Sequence, residues 1–130
     1  MSSMFKKVYY HDTDCGGVVY YANYLKYLEE ARTEYLSQKG IEIKEMAQKG
    51  GLFAVKCVNI DYKAPARYGD TLEVTSKITK IKNASLEFVQ EVKRNGQILV
   101  STSTVLVYID TNFQPQAMPV DIVKKLGQPD

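Results

Sequence analysis

The stretch Tyr21-Ala22-Asn23-Tyr24-Leu25-Lys26-Tyr27-Leu28-Glu29-Glu30-Ala31-Arg32-Thr33-Glu34-Tyr35-Leu36-Ser37-Gln38-Lys39-Gly40 carries the clearest helical signal in the chain. Apolar or aromatic side chains at 21, 24, 25, 28, 31, 35 and 36 keep the i, i+3, i+4, i+7 spacing of one helical face. Lys26, Glu30, Thr33, Glu34 and Ser37 take the opposite side, and Gly40 is placed to stop the helix. The spacing predicts a helix over 22–38, roughly 25 Å long at about 1.5 Å per residue, enough to span a small domain.

Everything outside this helix reads mainly as strand. Before it, Asp12-Thr13-Asp14-Cys15-Gly16-Gly17 is a cluster of loop formers, and residues 5–11, rich in aromatic and β-branched types, predict a strand. After it, a short helix at 43–49 ends at Gly50-Gly51, and strands follow at 52–63, 71–82, 85–94 and 97–109. Residues 64–70 form a Pro- and Gly-held connection, Asn95-Gly96 is the signature of a two-residue hairpin, and residues 119–126 predict a final helix. One strand, one long helix and four long antiparallel strands make an α+β domain in which a curled sheet covers a single helix, with residues 1–130 as one unit. Such a layer leaves sheet edges open, so a homo-oligomer is expected.

Composition excludes several functions. The 130 residues carry 17 Lys+Arg against 15 Asp+Glu, a net charge of +2, too small to argue for nucleic-acid binding. No apolar run reaches the roughly 20 residues of a membrane-spanning helix. A single histidine, His11, argues against a multi-histidine metal centre, and no cofactor is expected. Cys15 and Cys57 are too few for a disulfide framework, and no charged-then-apolar leader is seen, so a reducing cytoplasmic compartment is expected. One feature is uneven: seven of the ten tyrosines (9, 10, 20, 21, 24, 27 and 35) fall within 27 residues, where even spreading would put about two.

That crowded segment also carries a motif. Val8-Tyr9-Tyr10-His11-Asp12-Thr13-Asp14-Cys15-Gly16-Gly17-Val18-Val19-Tyr20-Tyr21-Ala22-Asn23-Tyr24-Leu25 resembles the signature of the 4-hydroxybenzoyl-CoA thioesterase family of the hotdog-fold superfamily, most of all its bacterial Tol-Pal-associated acyl-CoA thioesterase branch. Tyr27-Leu28-Glu29-Glu30-Ala31-Arg32-Thr33-Glu34 and Asp61-Tyr62-Lys63-Ala64-Pro65-Ala66-Arg67-Tyr68-Gly69-Asp70 resemble the same branch. The resemblance implies a hotdog fold, a long helix wrapped by a curved antiparallel sheet of five or six strands. It also implies dimers formed by continuous sheet pairing and a homotetramer built as a dimer of dimers. The substrate implied is an acyl or aroyl thioester of coenzyme A or of acyl carrier protein.

By the same resemblance the catalytic carboxylate is Asp14, and the backbone N–H of Tyr21 faces the thioester oxygen. The Tol-Pal-associated branch usually has His where this chain has Tyr21, which the 4-hydroxybenzoyl branch shares. Gly16, Gly17, Val18 and Tyr10 would line the substrate. The basic trio that the 4-hydroxybenzoyl enzyme sets against the coenzyme A phosphates matches Lys82-Asn83-Ala84 here, so Lys82, aided by Lys80 or by Lys63 and Arg67, would meet the phosphates.

The residue types suit this chemistry. Thioester cleavage needs a group that attacks the carbonyl or activates water, and donors for the charge that builds on its oxygen. Asp14 supplies the first as nucleophile or general base. Unpaired N–H groups and the macrodipole at a helix start supply the second. Competing readings attach to the same residues. Asp12 and Asp14 are also turn formers, Cys15 with His11 would make a nucleophile and base, and Glu29 with Arg32 reads as a local ion pair. A dehydratase on this fold needs a site histidine, and a non-catalytic module binding acyl carrier protein or an envelope complex would not need Asp14.

Overall fold

The computed structural model describes residues 1–130. In chain order it contains β1 (Ser2–Lys7), a 3-10 turn (Tyr10–Asp12), α1 (Asn23–Gln38), α2 (Ile43–Gln48), β2 (Leu52–Tyr62), β3 (Thr71–Ile81), β4 (Ser85–Arg94), β5 (Gln97–Ile109) and α3 (Val120–Leu126). The five strands form one antiparallel sheet in the order β1-β3-β4-β5-β2, so β1 and β2 are its edges. No helix is long and apolar enough to cross a membrane.

The period of two along β3 and β4 turns Leu72, Val74 and Ile78, then Leu86, Phe88 and Val92, onto α1. Leu28 at the centre of α1 is fully buried, a burial that contributes about 2–3 kcal/mol. Two apolar clusters result, one around Tyr24, Leu28 and Val74, the other around Tyr35, Leu36 and Phe88. Between them sits a polar belt. The amide nitrogen of Gln90 donates to the Leu28 carbonyl and to Ser76 Oγ, both at 2.9 Å, while its Oε1 accepts from Arg32 Nη1 at 3.1 Å.

Local sequence explains the boundaries. Gly40 ends α1 at φ +80°, where the Ile41 N–H returns to the Leu36 carbonyl at 2.9 Å. Asn95 and Gly96, at φ 51° and 81°, make the type I′ turn that suits the twist of β4 and β5.

Three expectations are corrected. The strand expected at 5–11 ends at Lys7, because the Val8 N–H is taken by the Asp70 carbonyl and the Asp12 carboxylate accepts the Tyr9 N–H, curling 10–12 into the 3-10 turn. His11 therefore lies in a turn. The buried face of α1 comprises Tyr24, Tyr27, Leu28, Ala31, Arg32, Tyr35 and Leu36, whereas Tyr21 and Leu25 are exposed. Tyr27 and Arg32 bury long side chains that a simple apolar stripe does not count. Finally, Arg32 makes no ion pair with Glu29 but turns inward to Gln90, and Glu29 instead accepts from Thr33 Oγ1 at 3.2 Å.

Candidate active site

The loop before α1 is a tight hairpin. The Asp14 N–H donates to the Val18 carbonyl at 3.0 Å, the Gly17 N–H returns to the Asp14 carbonyl at 3.1 Å, and Thr13 pairs with Val19. Asp14 and Gly17 hold the first and last positions of the turn, the places these residue types favour, and Gly17 has φ +76°. Asp14 Oδ1 accepts the Gly16 N–H at 2.8 Å, which fixes the carboxylate over the glycines while the residue stays exposed. No other hydrogen bond holds its second oxygen.

A second segment is zipped to this hairpin. The Val19 N–H donates to the Ala66 carbonyl at 2.8 Å and the Tyr68 N–H to the Gly17 carbonyl at 3.2 Å, with Val18 bridged to Arg67. The segment 64–70 is held in turn from two sides. Tyr24 Oη accepts the buried Ala66 N–H at 3.0 Å. Arg94 Nη1 reaches Asp70 Oδ2 at 2.7 Å and the Pro65 carbonyl at 3.3 Å. Burial pushes the Asp70 carboxyl up, but the Arg94 guanidinium and the Arg67 N–H outweigh that and hold it below the usual carboxylate range.

Asp12 plays a structural part beside the site. It is buried, and its carbonyl accepts from the Tyr20 N–H at 3.0 Å and from Asn23 Nδ2 at 2.8 Å, tying the first turn to the entry of α1. The amides that follow are different. Asn23, Tyr24 and Leu25 donate back along the helix start, whereas the N–H groups of Tyr21 and Ala22 donate to no protein acceptor. Two adjacent free donors at the N-terminal end of a helix of 16 residues form an anion-accepting corner.

Beside that corner lies a groove of about 280 Å³ walled by Tyr21, Tyr24, Tyr62 and Pro65, floored by Val19 and Ala64, with Lys63 at its rim. Tyr62 Oη donates to the Tyr21 carbonyl at 3.3 Å, and the Tyr24 and Tyr62 rings meet at 5.6 Å.

Of the site residues expected from sequence, the fold gathers Asp14, Gly16, Gly17, Val18, Tyr21 and Arg67 around the hairpin and the helix start, with Lys63 at the groove. Tyr10 stands exposed with its ring edge against Tyr68 at 5.8 Å, a lip on the hairpin side. Lys82 is apart. Thr71 pairs with Lys7 at the site end of β3, and Lys82 lies eleven residues further on (82 − 71), roughly 36 Å at about 3.3 Å per residue. A single chain does not bring it to Asp14. Tyr62 and Arg94 escaped the sequence reading; nothing local marks a hairpin arginine as the clasp of a loop some 24 residues away. Cys15 and His11 do not meet: His11 Nε2 lies 3.5 Å from Asp12 Oδ1 and its ring stacks on Tyr9.

A sheet curled around one helix, with a carboxylate-bearing hairpin and free amides where that helix begins, is the arrangement that the resemblance to hotdog-fold thioester hydrolases implies. Residues 8–126 match the sequence profile of the thioesterase-like superfamily, and the chain belongs to that family. It is 37% identical over 124 residues to the acyl-CoA thioester hydrolase YbgC of Escherichia coli, covering 94% of this chain and 92% of that protein. Among solved structures, a hypothetical protein of Thermus thermophilus superposes with a TM-score of 0.92 at 30% identity, covering 97% of each chain. A 1,4-dihydroxy-2-naphthoyl-CoA thioesterase of Synechocystis superposes with a TM-score of 0.87 at 25% identity, over 95% of this chain and 93% of that one.

Proposed function

We propose that this acyl-CoA thioesterase uses Asp14 as its catalytic carboxylate and the N–H groups of Tyr21 and Ala22 as the donors that hold the oxyanion. The observation that carries this reading is the pair of unpartnered amides at the start of α1, beside a hairpin whose exposed aspartate is held by Gly16. In the general-base form, Asp14 takes a proton from water as its oxygen adds to the thioester carbon. The carbonyl oxygen becomes negative against the two amides, and collapse releases coenzyme A thiolate and the acid. In the nucleophilic form, Asp14 itself adds to the thioester carbon, the C–S bond breaks to release coenzyme A thiolate, and water hydrolyses the resulting anhydride to the free acid and the regenerated Asp14 carboxylate. Each oxyanion donor is worth on the order of a hundredfold to a thousandfold in rate.

The acyl group lies in the groove walled by Tyr21, Tyr24 and Tyr62, with Gly16, Gly17, Val18 and Tyr10 along its approach. Lys63 and Arg67 face the phosphates of coenzyme A or of a carrier-protein arm. Residues 1–130 act as one domain, and the two exposed, unpaired cysteines favour a reducing, cytoplasmic setting.

The chain works as a two-fold dimer through the open edge of β2, two such dimers making a tetramer. Antiparallel pairing of two β2 strands sets the Leu52 end of one beside the Tyr62 end of the other. Ala54 is paired with Val107 and Val107 with Ser85, so Lys82 of the second copy then comes to the same end as this copy's Asp14. Its role in phosphate binding therefore requires the dimer.

Thiol release across a graded series of acyl- and aroyl-CoA thioesters tests the activity. Free thiol with no enoyl product from a 3-hydroxyacyl thioester is expected; absence of thiol release across the series, with a stable carrier-protein complex, would instead support a binding module.

A further inference from the structure

Arg32 is a buried cation without a counter-ion. It is 9% exposed, its guanidinium makes one hydrogen bond, to the neutral Oε1 of Gln90 at 3.1 Å, and no carboxylate pairs with it. An unpaired guanidinium out of water is strongly unfavourable, so such a group calls for an anion. Above it lies a groove of about 140 Å³ between α1 and β2, bordered by Glu29, Thr33, Leu52 and Val55. Glu29, on the same helix, borders the groove too; it is exposed, accepts from Thr33 Oγ1 at 3.2 Å, and its charge favours the guanidinium from a distance without forming an ion pair with it.

The position of this groove says what fills it. Tyr24 meets Tyr62 at one end of the α1–β2 seam, and Leu36 shares the groove with Leu52 and Phe53 at the other. Helix and strand therefore run in opposite directions, and the middle of β2, near residue 57, stands level with a point near residue 30 of α1, between Glu29 and Arg32. β2 is an edge strand whose own Leu52 and Val55 are 40% and 52% exposed, and Leu25 of α1 is 45% exposed. A two-fold axis through that point brings α1 against its copy in antiparallel fashion. In such an isologous contact, if residue i meets residue j then j meets i.

We propose that Glu29 of a second copy supplies the missing carboxylate, so that two reciprocal Glu29–Arg32 ion pairs lock the dimer across the seam between α1 and β2. This rests on the two-fold association at the β2 edge and assigns its specificity to named residues. The exposed polar Glu29 leaves water for the groove, and the buried Arg32 gains a counter-ion without moving from Gln90.

The test uses the full-length chain. Glu29→Gln, at an exposed position that the fold of one chain does not need, is expected to weaken dimerisation tenfold or more by sedimentation at graded concentrations, with unchanged circular dichroism. Mixing Glu29→Gln with Arg32→Gln chains then separates contact between copies from contact within one. Each homodimer lacks both pairs, whereas the mixed dimer keeps one, so native mass spectrometry should find mixed dimers well above the statistical half. Mixed dimers at half, or a Glu29→Gln dimer as tight as the parent, would overturn the ion pair while leaving the dimer standing. A parent chain that sediments as a monomer at all concentrations would overturn the pairing together with the two-fold association beneath it.

Discussion

Removing one oxygen from Tyr24 tests how the site is supported. Tyr24 Oη accepts the Ala66 N–H at 3.0 Å, and the two residues are 3% and 0% exposed. In Tyr24→Phe the ring keeps its contacts with Tyr27 at 6.1 Å and Tyr62 at 5.6 Å, so packing changes little. The vacated hydroxyl space is at the lower limit of what a water needs, about 10–15 Å³, and Ala66 offers it a single donor. The amide is then buried and unsatisfied, which costs about 1–3 kcal/mol. For a domain of this size each kcal/mol lowers Tm by about 3–6 °C. Urea unfolding should show a lower midpoint at unchanged slope. Tyr68→Phe, whose ring is exposed, should stay within about 0.5 kcal/mol of the parent. Because Ala66 also accepts from Val19 at the base of the Asp14 hairpin, turnover should fall with stability. A loss below about 0.5 kcal/mol for Tyr24→Phe would refute the claim that this hydroxyl holds the 64–70 segment in place.

Three further outcomes follow from other contacts. A Cβ at Gly51 would run into the Tyr108 ring, so Gly51→Ala should destabilise by about 2 kcal/mol or more, read as a lower denaturation midpoint, and Gly51→Ala with Tyr108→Leu should recover part of it. Arg94→Met removes the clasp on Asp70 and Pro65 and should cost about 1–2 kcal/mol, with a raised KM measured by thiol release. Burial raises the Asp130 carboxyl, but the N-terminal ammonium, the Tyr35 hydroxyl and the Ile78 N–H outweigh it and hold it at about 2, below its ordinary 3.8. That contribution, about 1–2 kcal/mol after allowance for its partial exposure, is fully present above about pH 4 and is lost as pH falls through about 2; Asp130→Asn should flatten the acid limb of the stability curve over that window.

The long helix and the four later strands were legible because hydrophobic period is local: Tyr24, Leu28, Ala31, Tyr35 and Leu36 lie where a period of 3.6 places them. Gly40 and Asn95-Gly96 were legible because positive φ narrows the choice of residue. The Asp14 hairpin was legible because turn chemistry and the motif coincide in the same six residues. What escaped depends on distant partners. Tyr27 and Arg32 look like solvent-facing residues until Lys6, whose ammonium sits 5.7 Å from the Tyr27 ring, and Gln90 close over them. Residues 8–11 of the strand expected at 5–11 were lost to a hydrogen bond from Val8 to Asp70, far along the chain. The remoteness of Lys82 is set by which end of β3 pairs with β1, a matter of sheet topology that residue types do not encode.

The central claim is that chemistry runs on the Asp14 carboxylate against free amides of α1. Steady-state thiol release by Asp14→Asn, measured on the best thioester of the series beside the parent chain, tests it most directly. The substitution keeps the turn-forming side chain, whose amide oxygen can still accept the Gly16 N–H. The account predicts kcat lower by about 10²–10⁴ with KM within a few fold and the same sedimentation as the parent. A kcat within threefold of the parent would contradict it.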